Sequence, residues 1–359
     1  MRTHIARRTF LGVVAGWAAA PRMAKSAETM TLQGAGSSFI RPVMQRWVAS
    51  VPETAGLSAT YKAVGTSVAQ SAVMAGEIDF AAIELPLPAK ALADGDLMQF
   101  PVAFGALVCV VNLPGIGRDQ LQLTGQLLGA IYSGTIKTWD DPKIAAVNPG
   151  VTLPNLPIAP LRLDTPAGTV FSTTYTFTQY LLATNPDWRA KYGAEVPRRW
   201  AVGSMTDGSE ALAETLKVVP GSIGYMALGA AMASGATTVK LRNKSGRAVA
   251  ASMESLRAAV DRVDWSKTPD MVPSLLDLEG EGTWPLVLPT YVLLQRHPKD
   301  AARGEAVRRL INFFVVHGAE SAAKYASIAL TPLLSEGQRT AKTEAVRSAV
   351  LAMLAQTTN

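Results

Sequence analysis

The sequence predicts an α/β protein of two domains. Short β-type runs alternate with longer segments at helical spacing, which favours helices layered on largely parallel sheets. About 330 residues remain after an N-terminal leader is removed. A chain of this length is usually too long to fold around a single hydrophobic core. Two apolar, extended, proline-flanked segments, LVCVVNLPG and LVLPTYVLLQ, are candidates for the strands by which the chain leaves one domain and returns to it.

Twelve segments give this alternation. Those predicted as strands, because they are short, apolar and rich in β-branched or aromatic residues, are 57–64, 77–85, 98–112, 156–163, 221–228 and 284–295. Those predicted as helices, from apolar residues three and four positions apart, are 38–50, 67–76, 126–134, 170–183, 208–218 and 306–327.

Residues 1–26 are predicted to be an export leader of the twin-arginine type. Arg7 and Arg8 precede Phe-Leu and a short apolar run, and a small-residue cleavage site ends at Ser26. The apolar run is much shorter than the about 20 residues of a membrane span. An ordinary secretory signal that contains two arginines is the alternative, and both routes lead out of the cytoplasm, here to the periplasm.

The net charge of the chain depends on this leader. The chain has a formal net charge of +6, and five basic residues of the leader have no acidic counterpart there. These residues are Arg2, Arg7, Arg8, Arg22 and Lys25. Cleavage therefore leaves one net positive charge, and we expect no nucleic-acid partner.

Cysteine and histidine are too few for several kinds of chemistry. Cys109 is the single cysteine, so no intrachain disulfide can form, and its apolar surroundings predict a buried, inert thiol. The cleavage site has no neighbouring cysteine, so no lipid anchor is expected. His297 and His317 lack the spacing of a zinc site, and no G-x-S-x-G motif occurs. We therefore expect no metal, no cofactor and no catalytic site.

Three loops that precede predicted helices combine small residues with a hydroxyl. They are residues 34–39, 65–67 and 167–169. Exposed backbone N–H groups at a helix start favour a negative ligand, and Arg162 lies beside the third loop. Together they indicate an oxyanion site. The alternative is that a hydroxyl in each loop only caps its helix, with Arg162 in a surface ion pair with Asp164.

These loops and further motifs resemble the periplasmic phosphate-binding proteins of the ABC phosphate-uptake transporter, the PstS family. In chain order the motifs are GAGSSF, VGTSVAQ, EIDFAAIELPL, QFPVAFGALVCVVNLPG, GAIYSGTIKTWDDPKIAAVNPGVTLP, RLDTPAGTVF, GSIGY and DWSK. The resemblance implies a two-lobed periplasmic-binding-protein fold of type II, with two mixed sheets flanked by helices and a two-strand hinge. Lobe 1 would comprise 27–108 and 288–359, and lobe 2 would comprise 109–287.

The resemblance also implies which residues bind the ligand. The matching positions are Ser38, Phe39, Thr66, Glu84, Arg162, Ala167, Gly168 and Thr169, with Asp164 orienting the arginine. It further implies a monomeric solute-binding protein that delivers phosphate to the permease subunits of an ABC importer. The alternatives are a phosphatase, and a binder of arsenate or a phosphonate that serves a membrane sensor.

The chain departs from the family pattern at two places in this site. Glu84 stands where the family has aspartate, and the loop RLDTPAGT is one residue longer and lacks the family's serine. A carboxylate can accept a hydrogen bond from the proton of monohydrogen phosphate but repels sulfate, which has no proton. Glu84 also carries a carboxylate, on a side chain one methylene longer, so the same selection is expected. The rival interpretation is that Glu84 neutralises Arg162 in a collapsed site that has lost oxyanion binding.

The leader can be tested by export. Replacing Arg7 and Arg8 together with lysine should leave the precursor in the cytoplasm, because the twin-arginine route requires the arginine pair. Fractionation followed by immunoblotting measures the precursor and mature forms, and circular dichroism checks that the purified mature fold is unchanged. Normal export of the double variant would contradict the twin-arginine assignment.

Overall fold

The computed structural model describes residues 29–52, 56–164, 171–193, 200–268, 271–323, 330–332 and 341–355. Within these ranges the protein is an α/β structure, as the sequence predicts. The leader, residues 1–26, lies outside the described residues. So do Ala167, Gly168 and Thr169 of the third candidate loop.

The described strands are β1 (Met30–Gly36), β2 (Leu57–Ala63), β3 (Phe80–Ile83), β4 (Leu97–Val111), β5 (Gln122–Leu123), β6 (Ala159–Leu163), β7 (Ser204–Thr206), β8 (Ser222–Ala227), β9 (Thr237–Thr238), β10 (Lys240–Arg242), β11 (Ala248–Val249), β12 (Val287–Gln295) and β13 (Leu330–Pro332). Each of the six segments predicted as strands overlaps one of them.

The described helices are α1 (Arg41–Ala49), α2 (Thr66–Met74), α3 (Ala89–Asp94), α4 (Gly125–Tyr132), α5 (Pro142–Val147), α6 (Ser172–Thr184), α7 (Pro186–Tyr192), α8 (Gly208–Val218), α9 (Leu228–Ser234), α10 (Met253–Val260), α11 (Ala301–Ala323) and α12 (Ala341–Ala355), with a short 3₁₀ helix at Trp265–Lys267. Each of the six segments predicted as helices overlaps a described helix, and residues 324–327 of the last segment lie outside the described residues.

One long strand joins two halves of a mixed sheet. In the described part of the chain, the main path of this sheet has the order β2-β1-β3-β12-β4-β8-β6-β7. Strand β12 pairs with β4 up to Ala106, and β8 pairs with β4 from Leu107 onward. We call β1, β2, β3 and β12 the first half-sheet, and β6, β7 and β8 the second half-sheet. The two mixed sheets expected from the sequence are therefore continuous through β4.

Strand direction determines which ends of the strands meet. Strand β1 runs parallel to β2 and β3, and β6 runs parallel to β7 and β8. Strand β12 is antiparallel to both β3 and β4. The carboxyl ends of the parallel strands in each half-sheet thus lie at one edge, which is where α/β sheets bind ligands.

Aromatic residues fill the core on both sides of β4. Beside the first half-sheet, Trp47 of α1 stacks on Phe314 of α11 with ring centroids 5.4 Å apart. In the second half, Phe177 of α6 stacks on Tyr225 of β8 at 4.2 Å. Every residue of β4 is buried, and the thiol of Cys109 is buried with it. Burial raises the pKa of that thiol to about 12, which agrees with the predicted inert cysteine.

The first glycine-rich segment is partly a strand, where the sequence had indicated a loop. Gly34 and Gly36 end β1, and α1 starts only at Arg41. A Cβ at Gly34 would lie 2.1 Å from Cζ of Phe80, and one at Gly36 would lie 1.9 Å from the carbonyl oxygen of Ala82. These glycines therefore allow close packing against β3.

The packing at Gly34 can be tested by adding one methyl group. Gly34→Ala should destabilise the protein by about 1–3 kcal/mol, because an overpacked core must shift side chains or backbone and Phe80 is fully buried. Gly282→Ala is the matched control, since a Cβ there meets no atom within 4 Å. Urea unfolding of both variants measures the difference, and equal midpoints would contradict the packing role.

Candidate functional site

The residues singled out from the sequence follow the carboxyl ends of strands. Ser38 and Phe39 come after β1, Thr66 is the first residue of α2 after β2, and Glu84 directly follows β3. Arg162 lies in β6, one residue before that strand ends. The strand directions therefore place these positions at the carboxyl ends of the parallel strands, the edge at which α/β sheets generally bind ligands.

Backbone hydrogen bonds connect the loops of the first half-sheet. The N–H of Ser37 donates to the carbonyl of Ala82 at 2.9 Å. The N–H groups of Val64 and Gly65 both donate to the carbonyl of Gly36, at 3.0 and 2.9 Å. The loop after β1 is thus bonded to the end of β3 and to the loop after β2, so three candidate positions share one framework.

Hydroxyl capping does not account for the first two loops. The caps of α1 and α2 are Ile40 and Gly65, and neither helix has a side-chain cap hydrogen bond. Ser38 is exposed. The hydroxyl of Thr66 is buried and has no hydrogen-bond partner among the described residues. A buried hydroxyl without a partner is costly, so Thr66 has a donor available for a ligand.

Glu84 is a buried carboxyl group held by hydroxyls. It is only 3% exposed. Ser172 donates to its Oε2 at 2.9 Å, and Thr290 donates to its Oε1 at 3.2 Å. The side chain of Ser37 also bonds it while accepting the N–H of Phe39 at 3.0 Å. Burial raises the pKa of Glu84 to about 7, and the hydroxyl hydrogen bonds oppose that rise.

Arg162 is oriented by a carboxylate and by an indole ring. Its Nη1 donates to Oδ2 of Asp164 at 2.7 Å, and the two side chains are only 19% and 26% exposed. The guanidinium carbon lies 5.9 Å from the ring centroid of Trp200. Its Nε–H is buried without a partner among the described residues. The pair is therefore not a surface ion pair, and one arginine donor remains available.

The first turn of α6 links the arginine to the glutamate. Ser172 bonds Glu84, and two residues later the hydroxyl of Thr174 donates to the carbonyl of Leu163, which lies between Arg162 and Asp164. The two charged groups thus belong to one site. Among the described ion pairs, Arg162 pairs with Asp164 and not with Glu84, which is not the arrangement of a collapsed site.

Sequence reasoning missed four contributors: Ser37, Ser172, Thr290 and Trp200. Thr290 could have been found from strand register, because Tyr291 stands opposite Ile83 in the antiparallel β12–β3 pair and Thr290 therefore approaches Glu84. Ser172 lies just past the third candidate loop. No pattern in the sequence pointed to Trp200.

Other kinds of site receive no support from the described residues. They contain no group of three or more His, Cys, Asp or Glu side chains that could hold a metal ion. Across the same ranges, no helix has both the length and the apolar character needed to cross a bilayer. The described residues offer buried hydrogen-bond donors, the Arg162–Asp164 pair and the buried carboxyl group of Glu84.

Comparison with known proteins agrees with this geometry. The family model of the PBP superfamily domain matches residues 23–316. The phosphate-binding protein PstS of Xylella fastidiosa (strain Temecula1) is 32% identical over 314 residues, 88% of this chain and 85% of that protein. PstS of Pasteurella multocida is 33% identical over 291 residues, 81% of this chain and 83% of that protein.

A solved structure shares the fold. The high affinity periplasmic phosphate-binding protein PfluDING, solved with phosphate bound, superposes with a TM-score of 0.65 at 20% identity, covering 89% of this chain and 93% of that one. The α/β architecture is thus the two-lobed one of these binding proteins. Family model, relatives and fold agree, and the chain belongs to the PstS family of phosphate-binding proteins within the PBP superfamily.

Proposed function

We propose that this protein is an extracytoplasmic solute-binding protein that captures inorganic phosphate between two lobes and delivers it to an ABC importer. The observation that supports this most directly is the site itself. Thr66 and Arg162, whose hydroxyl and Nε–H have no partner among the described residues, lie at the same sheet edge as a buried carboxyl group. The PstS relatives are named as phosphate-binding proteins, which supports phosphate as the ligand, and the ABC importer is what the family resemblance implies.

The lobes in this proposal are residues 27–108 with 288–359, and residues 109–287. The pairing of β4 supports this division, because its partner changes from β12 to β8 between Ala106 and Leu107. Strand β12, which starts at Val287, brings the chain back beside the first half-sheet. The cleft would then lie where the ends of β1, β2 and β3 face the end of β6.

The proposed ligand shell combines a cation with hydroxyl and backbone donors. Its members are Ser38, Phe39, Thr66, Glu84, Arg162, Ala167, Gly168 and Thr169. Asp164 would hold the guanidinium in place, as its 2.7 Å hydrogen bond suggests. Charge-assisted hydrogen bonds of this kind are stronger than those between neutral groups, so the arginine would contribute the largest single share of affinity.

Glu84 would select the ligand by its proton. A carboxylate has about four lone-pair positions, and the hydroxyls of Ser37, Ser172 and Thr290 occupy three of them. The backbone N–H of Glu84 also bonds the carboxyl group, so the proton of monohydrogen phosphate or arsenate would replace one of these donors. Sulfate has no proton to give, so its charge would face an ionised carboxylate.

The proposal also covers the location of the protein, its oligomeric state and its partner. The leader would direct it to the periplasm, where it would act as a monomer and dock on the permease subunits. The family is one of binding proteins, and we propose no catalysis. Incubation with a chromogenic phosphate ester tests for a phosphatase.

Removal of the arginine tests the ligand shell. Arg162→Ala should weaken phosphate binding by roughly tenfold to a few hundredfold, because a charge-assisted hydrogen bond contributes about 1.5–3 kcal/mol. The control is Arg247→Ala, which removes an exposed arginine paired with Glu281. Calorimetry with ligand-stripped protein measures both. Unchanged affinity in Arg162→Ala would mean that the arginine binds only Asp164.

The pH dependence of sulfate binding tests the role of Glu84. Below about pH 7 the carboxyl group of Glu84 is protonated and can donate to sulfate. Sulfate affinity should therefore fall as the pH rises above 7, by roughly tenfold per unit, while phosphate, which brings its own proton, still binds. Glu84→Gln should bind sulfate at pH 8 at least about tenfold more tightly than wild type, with no such slope.

Glu84→Asp is the matched control for that experiment. It keeps the ionisable group, so the rejection of sulfate at high pH should persist, although the shorter side chain should weaken phosphate binding. Titrations with phosphate and sulfate at pH 5.5 and 8 compare all three proteins. If phosphate binding is detected by calorimetry with Glu84→Gln but not with wild type, the interpretation of Glu84 as a proton acceptor for the ligand is wrong.

A further inference from the structure

The three hydroxyls around Glu84 come from different sides of the proposed cleft. Ser37 follows β1, and Thr290 lies in β12, so both belong with the first half-sheet, as Glu84 itself does. Ser172 is the first residue of α6, which packs on β6 and β8 of the second half-sheet. Two of the hydrogen bonds are therefore internal to one side, whereas the third connects the two sides.

We propose that the Ser172–Glu84 hydrogen bond is a latch across the cleft and that Ser172 is a positioning residue that slows ligand release. This inference deepens the proposed function and rests on it only for the identity of the ligand. The latch is the 2.9 Å contact between Oγ of Ser172 and Oε2 of Glu84. Separation of the two sides would break this bond and leave the other two hydroxyls on Glu84.

Burial makes this contact more important than an exposed ion pair that also connects the two sides. Ser172 is 7% exposed and Glu84 is 3% exposed, so the hydrogen bond forms away from water, where loss of a partner is costly. Arg41 and Glu210 also connect the two sides, at 3.2 Å, but both side chains are strongly exposed. Exposed ion pairs contribute little.

The position of Ser172 is fixed by its neighbours. The hydroxyl of Thr174, in the same turn of α6, bonds the carbonyl of Leu163 and the hydroxyl of Tyr225. The N–H of Leu163 in turn donates to Tyr225 at 3.3 Å. The turn that presents Ser172 is therefore bonded to the strand that presents Arg162. When Ser172 engages Glu84, the arginine and the carboxyl group are brought to their places together.

The kinetic test compares three variants with wild type. Ser172→Ala removes the latch, Ser172→Thr keeps a hydroxyl, and Ser234→Ala is the control, because Ser234 bonds only carbonyls of its own helix, Ala230 and Ala231, among its described hydrogen bonds. Stopped-flow measurement of phosphate release should show an off-rate roughly tenfold to a hundredfold faster in Ser172→Ala. The on-rate should change by less than about threefold, since affinity differences arise mostly in dissociation.

A second measurement needs no ligand. Cysteines introduced at the exposed positions Val68 of α2 and Val218 of α8 can hold spin labels on the two sides, while native Cys109 stays buried and unlabelled. Double electron–electron resonance then gives the distance distribution in ligand-free protein. Ser172→Ala should shift the distribution toward longer distances, and Ser172→Thr and Ser234→Ala should match wild type.

The outcomes separate the two proposals. If wild type does not bind phosphate, the proposed function fails, and the spin-label distances still decide whether the latch exists. If wild type binds phosphate but Ser172→Ala leaves both the off-rate and the distances unchanged, the latch is wrong. It is also wrong if Ser172→Thr or Ser234→Ala behaves like Ser172→Ala.

Discussion

The site is organised around one buried carboxyl group, that of Glu84, which forms no ion pair among the described residues. Glu84 is almost inaccessible to solvent, and its described side-chain partners are hydroxyls. Burial of an ionisable group is costly, so its pKa rises toward neutrality instead. Strand ends, loops and the start of α6 all supply groups that bond this carboxyl. The local architecture is therefore best understood as the means of holding Glu84 in place.

Net charge does not explain how such a site attracts an anion. Arg162 is already paired with Asp164, so Glu84 leaves the three side chains neutral or negative in sum, depending on its proton. If the anion binds here as proposed, its attraction comes from directed donors such as the Nε–H of Arg162 and the hydroxyl of Thr66, which are buried without a partner among the described residues. Hydrogen bonds from desolvated donors in fixed positions can stabilise a bound anion more than the net charge of the site does, because electrostatic interactions are stronger where the local dielectric is low.

The sequence predicted most of the fold, but it did not indicate which residues bond Glu84. Long periodic segments such as 208–218 reproduced a helix residue for residue, because their apolar spacing is determined locally. The glycines at 34 and 36 indicate a loop, but glycine also occurs where strands pack closely. Which of the two applies depends on Phe80 and Ala82, which lie far along the chain. Ser172 and Thr290 were missed for the same reason. Their contact with Glu84 depends on strand register and domain placement, which no local pattern encodes.

The indole that lies over Arg162 has a consequence of its own. Trp200 is half-buried, stands edge-on to Tyr132 with ring centroids 5.8 Å apart, and lies 5.7 Å from Trp188. Its π-face is close to the guanidinium charge. An anion held by that guanidinium would alter the electric field at the ring, and indole emission responds to such fields. If Arg162 binds the ligand as proposed, ligand binding should therefore change the fluorescence emission of Trp200.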